Sequence, residues 1–474
     1  MADDHTFAAG AALHFIGIGG IGMSGLAQMC RALGCRVSGS DRALDNPENR
    51  RIFTALRAQG ITLYPQDGSG VRTARPDYLI YSTAIEEDNP DFAAAAADVT
   101  RLHRSAALAM AMRQQHDLTM IAVTGSCGKT TVSAWLAETL DRMGHAPSFL
   151  TGGLANSYIA PARAGNYRRG HGRYFVFEAD ESDKSLLAYH PDFTVILNIG
   201  TDHYSKEELI RVFQQFLRQT TIGAVVEQSV AAALGPECMA HLQVTLFDAR
   251  ENGGGADTAG FRDFCSDANG FSAAFAGAGR LSLPLPGVHN AANALTVLCS
   301  LRMLGLPSAG IDTALSAFGG VWRRFDYAGT LPSGAAVYDD YAHNVEKIVS
   351  CIRGARSING GRVVALFQPH GFKPLQFMRE ELLRQLEKQL EKDDIFGLLP
   401  VYYAGGTAAF SPTSEEVAAT FRDRGSKSYR YWPSRADAAQ ALQRLTGKGD
   451  VVLIMGARDN SLSDWAKEIT CTGK

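Results

Sequence analysis

One loop carries the chemistry that is easiest to interpret in this sequence. It reads Thr124-Gly125-Ser126-Cys127-Gly128-Lys129-Thr130-Thr131 and lies between an apolar run and a helical stretch. Glycines let backbone N–H groups converge on phosphate oxygens, and the N-terminus of the following helix adds a positive dipole end. Lys129 supplies a cation, and Thr130 offers a hydroxyl to Mg²⁺. The run therefore predicts a phosphate-binding loop.

Two positions in and before this loop need a separate interpretation. The full P-loop pattern has glycine where this chain has Val123, so the loop is a shortened variant. Cys127 could suggest redox chemistry, but no residue of the sequence is identified as a partner that would activate its thiol. We therefore expect Cys127 to contribute its small size and its backbone.

A second glycine loop lies near the start of the chain. Gly17-Ile18-Gly19-Gly20-Ile21-Gly22 follows an apolar strand pattern, and Asp41 comes nineteen residues after Gly22. This fits the dinucleotide fingerprint, in which glycines place a diphosphate on a helix end and an acidic residue binds a ribose. An NAD-dependent oxidoreductase is therefore one hypothesis. UDP also presents a diphosphate and a ribose, so a UDP-sugar site is the other.

A carboxylate and a histidine follow the next strand patterns after the phosphate loop. Glu178 ends an apolar strand, and His203 comes just after the following one. Parallel-sheet geometry would bring both to the same carboxyl edge as the phosphate loop. Carboxylate oxygen suits Mg²⁺. The neighbouring carboxylates Asp180, Glu181 and Asp183 are interpreted as a solvated acidic turn with helix-capping residues.

The elements that must position these loops alternate along the chain. Strand and helix patterns alternate from 12 to 41, resume at 118, and start a third time after 322. Such alternation is typical of parallel sheets covered by helices, so the fold class is α/β. The Gly- and Ala-rich segment 252–279 predicts loops and short antiparallel pieces. We predict a Rossmann-like N-terminal domain (1–112), a central P-loop ATPase-type parallel sheet (113–321) and a Rossmann-like C-terminal domain (322–474).

The bulk composition excludes several classes of protein. With 474 residues, 46% hydrophobic and 20% charged, the chain can build large cores. A net charge of −3 attracts no polyanion, so we expect no nucleic acid partner. Eight Cys without a CxxC pair or a Cys/His cluster indicate reduced thiols in a cytosolic enzyme. The acidic start is not a signal peptide and no apolar run could span a bilayer, so we expect a cytoplasmic protein without membrane contact.

Further motifs, in their order along the chain, resemble those of the Mur ligases. After the GxxGKTT loop they are Glu178-Ala179-Asp180-Glu181-Ser182-Asp183, Asn198-Ile199-Gly200-Thr201-Asp202-His203, Gly287-Val288-His289-Asn290-Ala291-Ala292-Asn293, Arg323-Arg324-Phe325-Asp326, Asp339-Asp340-Tyr341-Ala342-His343 and Gln368-Pro369-His370. They cover the whole length of the chain. The glycine-rich start at Gly17 and the acidic string at Glu178 most resemble the branch of the family that joins L-alanine to UDP-N-acetylmuramate.

This resemblance implies an ATP-dependent ligase with Mg²⁺ as its metal. Such an enzyme activates the carboxylate of a UDP-N-acetylmuramate-type substrate as an acyl phosphate and joins it to an amino acid, here expected to be L-alanine, in peptidoglycan synthesis. The three domains would then bind the UDP-sugar, ATP and the amino acid, and a UDP-sugar is favoured over NAD at the first loop. A paralogue with a different amine or murein peptide substrate is the alternative. A paralogue that has lost ligation is a third hypothesis, against which the retained Lys129, Thr130, Glu178 and His203 argue.

The resemblance also implies roles for residues at matching positions. Lys129, Glu178, His203 and His343 are expected to be catalytic, and Thr130, Glu178 and His203 to bind the metal. In addition to the loop Gly125 to Thr131, the residues expected at ATP are His289, Asn290, Asn293, Arg324 and Asp340. The residues expected at the UDP-substrate are Gly17, Gly19, Gly20, Ile21, Gly22, Met23, Ser24, Asp41 and Ser82. Structural alternatives are helix capping for the Asn pair and a surface ion pair for Arg324 and Asp340.

The C-terminal part departs from the family pattern. Where the family has Gln-Pro-His-Arg-x-x-Arg, this chain has Gly371 and Pro374 in place of the two arginines. The family's His-His-Pro is here His343-Asn344-Val345, and the segment 456–460 differs from the usual glycine-rich string. The identity of the amine and the oligomeric state therefore stay open. The cations that could replace the arginines are Lys373, Arg379 and Arg458.

Overall fold

The N-terminal part of the chain forms a five-stranded parallel sheet. The structure, a computed structural model, describes residues 6–46, 49–115, 117–200, 204–267, 270–358, 361–403 and 410–471. The first elements are β1 (Ala12–Ile16), α1 (Ile21–Ala32), β2 (Arg36–Asp41), α2 (Arg50–Ala58), β3 (Thr62–Pro65), α3 (Ser69–Ala74), β4 (Tyr78–Tyr81), α4 (Pro90–Ala94), β5 (Thr100–His103) and α5 (Arg104–Arg113). The strand order is β3-β2-β1-β4-β5, so the buried central strand β1 leads directly into the first glycine loop.

A second, ten-stranded sheet follows. Its elements are β6 (Thr119–Thr124), α6 (Lys129–Arg142), β7 (Ser148–Leu150), β8 (Tyr167–Arg168), β9 (Tyr174–Glu178), β10 (Phe193–Ile196), α7 (Lys206–Gln219), β11 (Gly223–Glu227), α8 (Gln228–Leu234), β12 (Gln243–Glu251), β13 (Thr258–Asp267), β14 (Gly270–Phe275), β15 (Gly279–Leu283), α9 (Val288–Met303) and α10 (Ile311–Ser316). The order is β15-β14-β13-β12-β11-β10-β6-β9-β7-β8. Because β6 lies between β9 and β10 and runs parallel to both, their carboxyl ends meet beside the phosphate loop.

The sequence predicted loops and short antiparallel pieces over 252–279, but the strands there are longer than expected. Strand β13 runs for ten residues, and β14 and β15 follow it. Phe261 and Phe275 are buried and their ring centroids lie 6.1 Å apart. Their burial stabilises strands that the Gly- and Ala-rich composition does not favour.

A third, six-stranded sheet forms the C-terminal part. Its elements are β16 (Asp326–Thr330), β17 (Ala336–Asp340), α11 (Val345–Arg356), β18 (Val363–Gln368), α12 (Phe372–Gln389), β19 (Ile395–Leu398), α13 (Ser414–Arg424), β20 (Ser428–Tyr431), α14 (Arg435–Leu445), β21 (Val451–Gly456) and α15 (Ser461–Cys471). The order is β16-β17-β21-β18-β19-β20, with β16 antiparallel to β17 and the other pairs parallel. Alternate residues of β18 belong to different core clusters, so helices cover both faces of the sheet.

The three sheets confirm the predicted α/β class with parallel sheets. Two compact units contain them: one comprises 1–263, 273–281 and 291–321, and the other comprises 264–272, 282–290 and 322–474. The domain boundaries after residues 112 and 321 stay predictions. Within the residues that the structure describes, no helix combines the length and apolar character that a membrane span requires.

Candidate functional site

The phosphate loop of the first unit is held in shape by its neighbours. Gly125 and Gly128 have positive φ angles of 132° and 89°, a region that favours glycine. A Cβ at Gly125 would lie 3.1 Å from the backbone nitrogen of Asn198. Asn198 accepts a hydrogen bond from the Cys127 N–H at 2.8 Å and donates one to the Cys127 carbonyl at 2.9 Å. The backbone of Cys127 therefore contributes to the loop, as expected.

Lys129, the first residue of α6, lies among carboxylates. Its ammonium donates to Glu181 at 2.7 Å and to the Gly125 carbonyl at 2.6 Å, and lies 3.9 Å from Asp180. Burial alone would lower the pKa of Lys129, but the attraction of Glu181, Glu178 and Asp180 outweighs it and raises the pKa. Lys129 therefore stays charged, and a phosphate that binds this ammonium must compete with Glu181.

Glu181 is the residue of the acidic string that sequence reasoning placed wrongly. Its side chain is only 5% exposed and pairs with Lys129, so it does not belong to a solvated turn. Burial raises the pKa of Glu181 although Lys129 opposes the rise. The pKa of Glu181 rises because burial penalises its negative charge, whereas the pKa of Lys129 rises because several carboxylates surround one ammonium. Only tertiary packing reveals this pair, since the string itself resembles a polar turn.

Thr130 and Glu178 lie in direct contact. The Thr130 hydroxyl donates to Glu178 at 2.9 Å, and the same carboxylate oxygen accepts from the N–H of Gly152 at 2.9 Å. A Cβ at Gly152 would lie 2.7 Å from that oxygen, so a side chain there would displace Glu178. Neighbouring hydroxyl and carboxylate oxygens are ligands that suit Mg²⁺. The third predicted metal ligand, His203, lies outside the described residues, among which no three His, Cys, Asp or Glu side chains form a metal-binding group.

The first glycine loop closes onto the predicted acidic residue. Asp41, at the end of β2, accepts from the N–H groups of Gly19 at 2.7 Å and Ala43 at 2.9 Å. Gly17 has a φ of 72°, and its N–H donates to the Ser40 carbonyl at 2.8 Å. The strand-to-helix turn is thus ordered at the carboxyl edge of β1, where the sequence predicts a diphosphate.

The other residues predicted at the UDP-substrate lie at or near this turn. Gly20, Ile21, Gly22, Met23 and Ser24 form the turn and the first residues of α1, and Ser82 follows β4. Met23 and Ser24 are buried, and the Ser24 hydroxyl accepts from Asn166 at 2.9 Å. Their roles at the substrate stay predictions.

Arg104 is a further residue that sequence reasoning missed. It begins α5 and pairs with Asp183 at 2.9 Å and Asp180 at 3.5 Å. A Cβ at Gly22 would lie 3.3 Å from the Arg104 guanidinium, so the same cation borders the first glycine loop. Within the first unit, Arg104 therefore lies between that loop and the acidic string beside Lys129.

Outside the phosphate loop, some of the residues predicted to bind ATP lie in the first unit and others lie in the second. In the first unit, the Asn293 side chain would lie 3.0 Å from a Cβ at Gly128, beside the start of α6. In the second unit, His289 packs against Gly287 and Gly354, and Asn290 donates to the Pro286 carbonyl at 2.9 Å. The last contact is local to the start of α9, and the roles of His289, Asn290 and Asn293 at ATP stay predictions.

Arg324 and Asp340 lie in the second unit. Asp340 accepts from the N–H of Phe325 and of Ala342, both at 2.7 Å, and is buried. It thereby fixes the backbone just before β16 and just after β17 rather than forming a surface ion pair. The Arg324 guanidinium lies 5.8 Å from the ring centre of Tyr341.

Two histidines meet at the carboxyl edge of the third sheet. The rings of His343, after β17, and His370, after β18, have centroids 5.4 Å apart. His343 donates through Nδ1 to the Tyr341 carbonyl at 2.9 Å, and burial lowers its pKa to about 4. Burial and the positive charge of Arg458 also lower the pKa of His370. His343 is therefore neutral near pH 7, and its Nε2 atom carries the lone pair that can accept a hydrogen bond.

These features are typical of a nucleotide-binding α/β protein: a loop of the phosphate-binding type, an adjacent hydroxyl–carboxylate pair and a second glycine loop. Three models of Mur ligase domains match the chain in order: the catalytic domain over 12–116, the middle domain over 123–301 and the glutamate ligase domain over 323–458. The chain belongs to the Mur ligase family.

Similar proteins cover nearly the whole chain. The UDP-N-acetylmuramate–L-alanine ligases of Chelativorans sp. and Rhizobium meliloti are 32% and 33% identical to it over 96% of this chain, which covers 96% and 95% of theirs. The crystal structure of the UDP-N-acetylmuramate–alanine ligase of Thermotoga maritima matches with a TM-score of 0.77 at 26% identity, over 98% of this chain and 99% of that one. A murein peptide ligase of Psychrobacter arcticus shares the fold, with a TM-score of 0.66 at 20% identity over 96% and 97% of the two chains.

Proposed function

We propose that this chain is an ATP-dependent ligase that joins the carboxylate of UDP-N-acetylmuramate to the amino group of an amino acid. The observation that carries the proposal is the convergence of Lys129, Thr130 and Glu178 at one sheet edge. Family membership and the UDP-N-acetylmuramate–L-alanine ligases that resemble the chain support it. An NAD-dependent oxidoreductase is the weaker hypothesis, because the chain matches three Mur ligase domain models and a UDP diphosphate explains the glycine loop equally well.

The chemistry requires activation because a carboxylate is a poor electrophile. Transfer of the γ-phosphoryl group from ATP to the carboxylate oxygen forms an acyl phosphate and releases ADP. The amine then attacks the carbonyl carbon, phosphate leaves, and the amine loses a proton. Lys129 stabilises the negative charge on the transferring group. Thr130 and Glu178 would hold Mg²⁺, which neutralises phosphate charge when bound.

The amine is the least constrained substrate. We place it at the carboxyl edge of the third sheet, where neutral His343 can accept a hydrogen bond from an ammonium or amine. Of the three cations that could replace the missing arginines, Arg458 lies close enough to influence His370. Arg379 lies in the second turn of α12, 3.8 Å from Glu380. We therefore propose that Arg458 binds the carboxylate of the amino acid.

The proposed substrates also suggest the compartment. ATP and UDP-sugars are cytoplasmic metabolites, and all eight cysteines are free thiols. We therefore place the enzyme in the cytoplasm and propose no membrane or nucleic acid partner.

The direct test of the function is a ligation assay. The protein is incubated with ATP, MgCl₂, UDP-N-acetylmuramate and a panel of amino acids, and ADP release and product masses are measured. We expect ADP release that requires both the UDP-sugar and an amine, and a product whose mass is that of the two substrates joined with loss of water. ATP turnover without any new product mass would refute ligation.

Removal of the Asp41 carboxylate should weaken only the binding of the UDP-sugar. We expect Asp41→Ala to weaken UDP binding by about tenfold or more, because it removes two charge-assisted hydrogen bonds that order the loop and the predicted ribose contact. Isothermal titration with UDP and with NAD(H) measures this, and the exposed Asp45→Ala is the matched control. Tight NAD(H) binding that Asp41→Ala abolishes, without UDP binding, would reverse the assignment.

Removal of the Arg458 guanidinium should change only the KM for the amino acid. Because Arg458 has a φ of 68°, Arg458→Asn is the appropriate variant, since asparagine tolerates this region. We expect the KM for the amino acid to rise by about tenfold or more while the KM for ATP stays unchanged. Steady-state kinetics with the exposed Arg430→Asn as control measures this. An unchanged amino acid KM would return the choice to Lys373 or Arg379.

A further inference from the structure

Three aromatic side chains, one half-buried and two exposed, form a cluster in the second unit. The ring centroids of Phe372, Tyr403 and Phe410 lie 6.3 Å (Phe372 to Tyr403), 5.4 Å (Phe372 to Phe410) and 5.3 Å (Tyr403 to Phe410) apart. Tyr403 is 44% exposed and Phe410 is 58% exposed. Single exposed aromatics are ordinary on a surface, but three in mutual contact form an apolar patch. We call Phe372, Tyr403 and Phe410 the aromatic cluster.

The aromatic cluster continues the sheet edge that carries the two histidines. Phe372 begins α12, two residues after His370. Tyr403 follows β19, whose exit is bound to that of β18 by a hydrogen bond from the Tyr402 N–H to the Pro369 carbonyl at 2.8 Å. Since β18 and β19 are parallel neighbours, both exits lie at the same carboxyl edge. The cluster and His370 are therefore parts of one surface.

One polar atom on this surface lacks a partner. The Nδ1 atom of His370 is buried and has no hydrogen-bond partner among the described residues. Buried polar atoms are normally paired, so the unpaired Nδ1 means that this edge is not fully satisfied by the protein itself. A ligand at this edge would meet the charge of Arg458 and an apolar patch together.

We propose that the aromatic cluster receives the side chain of the amine substrate, so that this enzyme prefers an amino acid with a large apolar side chain to L-alanine. This inference rests on the proposed function. Its physical basis is that a large apolar side chain covers exposed aromatic surface, whereas a methyl group leaves it in water. Three side chains are far fewer than the roughly 20–30 residues that each partner contributes to a stable protein interface.

The test compares amines in the ligation assay. Release of ADP and product masses are measured with glycine, L-alanine, L-leucine and L-phenylalanine, each with UDP-N-acetylmuramate. We expect kcat/KM for L-leucine or L-phenylalanine to exceed that for L-alanine by about tenfold or more, the range that added apolar contacts provide. Equal or faster ligation of L-alanine overturns the inference and leaves the proposed function in place. Absence of ADP release with every amine overturns both.

Substitutions in the aromatic cluster test whether these residues cause the preference for a large side chain. Phe410→Ala should reduce the preference for the large side chain severalfold without changing the KM for ATP, and Tyr403→Ala should act in the same direction. Phe377→Ala is the matched control, because Phe377 is 77% exposed on α12 but lies five residues after Phe372, on another side of the helix. Thermal unfolding verifies that each variant is folded. A preference that survives both cluster substitutions overturns the inference.

Discussion

Replacement of Lys129 by Met is expected to lower ATP-dependent turnover by about a hundredfold or more while the protein stays folded. A preorganised cation that stabilises the transferring phosphoryl group contributes a rate factor of this size. The ammonium is already positioned, since Glu181 and the Gly125 carbonyl hold it beside the loop. In the variant, Glu181 loses its counter-ion, and burial then favours its protonated form. The measurement is steady-state ADP release, together with thermal unfolding.

The control for this variant lies at Lys184. Its side chain is 41% exposed and donates to Glu208 at 2.6 Å, so Lys184→Met removes a cation and an ion pair at the surface. Exposed ion pairs contribute little to stability, and we expect turnover within about twofold of the unsubstituted enzyme. Equal losses in both variants would point to general electrostatics instead of the phosphate loop. Full activity of a folded Lys129→Met protein would remove the loop from the mechanism.

The sequence predicted the strands because local patterns determine them. The apolar runs that end at Ile16, Thr124 and Glu178 are buried β-rich segments followed by turns or glycines, and such runs identify buried strands without knowledge of their neighbours. The glycines of both loops were likewise interpretable, since Gly17 and Gly128 adopt positive φ angles that their neighbours require. Local chemistry was therefore sufficient for the fold class and for the two loops.

The parts that could not be predicted depend on contacts between distant segments. The Lys129–Glu181 pair joins residues 52 positions apart, and the Asn198 contacts with Cys127 join residues 71 positions apart. A polar residue in a string such as Glu178 to Asp183 carries no local sign that it is buried. Arg104 was missed for the same reason, because its partners Asp180 and Asp183 lie more than 70 positions later, after strand β9 of the second sheet.

Loss of the Arg323 side chain is expected to destabilise the second unit by about 3–5 kcal/mol. Arg323 is 1% exposed, its guanidinium contacts both oxygens of Asp339 at 3.2 Å, and it donates to the Asp459 carbonyl at 2.9 Å. Arg323→Met leaves a buried carboxylate without its counter-ion, which is costly. The control is Arg424→Met, because both side chains of the Arg424 pair with Glu380 are exposed, at 54% and 57%, and such a pair contributes little. Urea unfolding followed by tryptophan fluorescence measures both variants.

The pH dependence of this loss distinguishes a buried charge from lost packing. Burial raises the pKa of Asp339 to about 6, and the charge of Arg323 opposes the rise. When the pKa of a carboxyl is higher in the folded than in the unfolded protein, the free energy of unfolding falls as the pH rises through the folded pKa. Without Arg323 that pKa moves higher, so the variant continues to lose stability above pH 6, where the unsubstituted protein no longer does. We expect the difference in unfolding free energy to grow between pH 6 and pH 8, and the double variant Arg323→Met with Asp339→Asn to recover part of it. A difference that is constant with pH would mean that Arg323 acts through packing and its carbonyl hydrogen bonds.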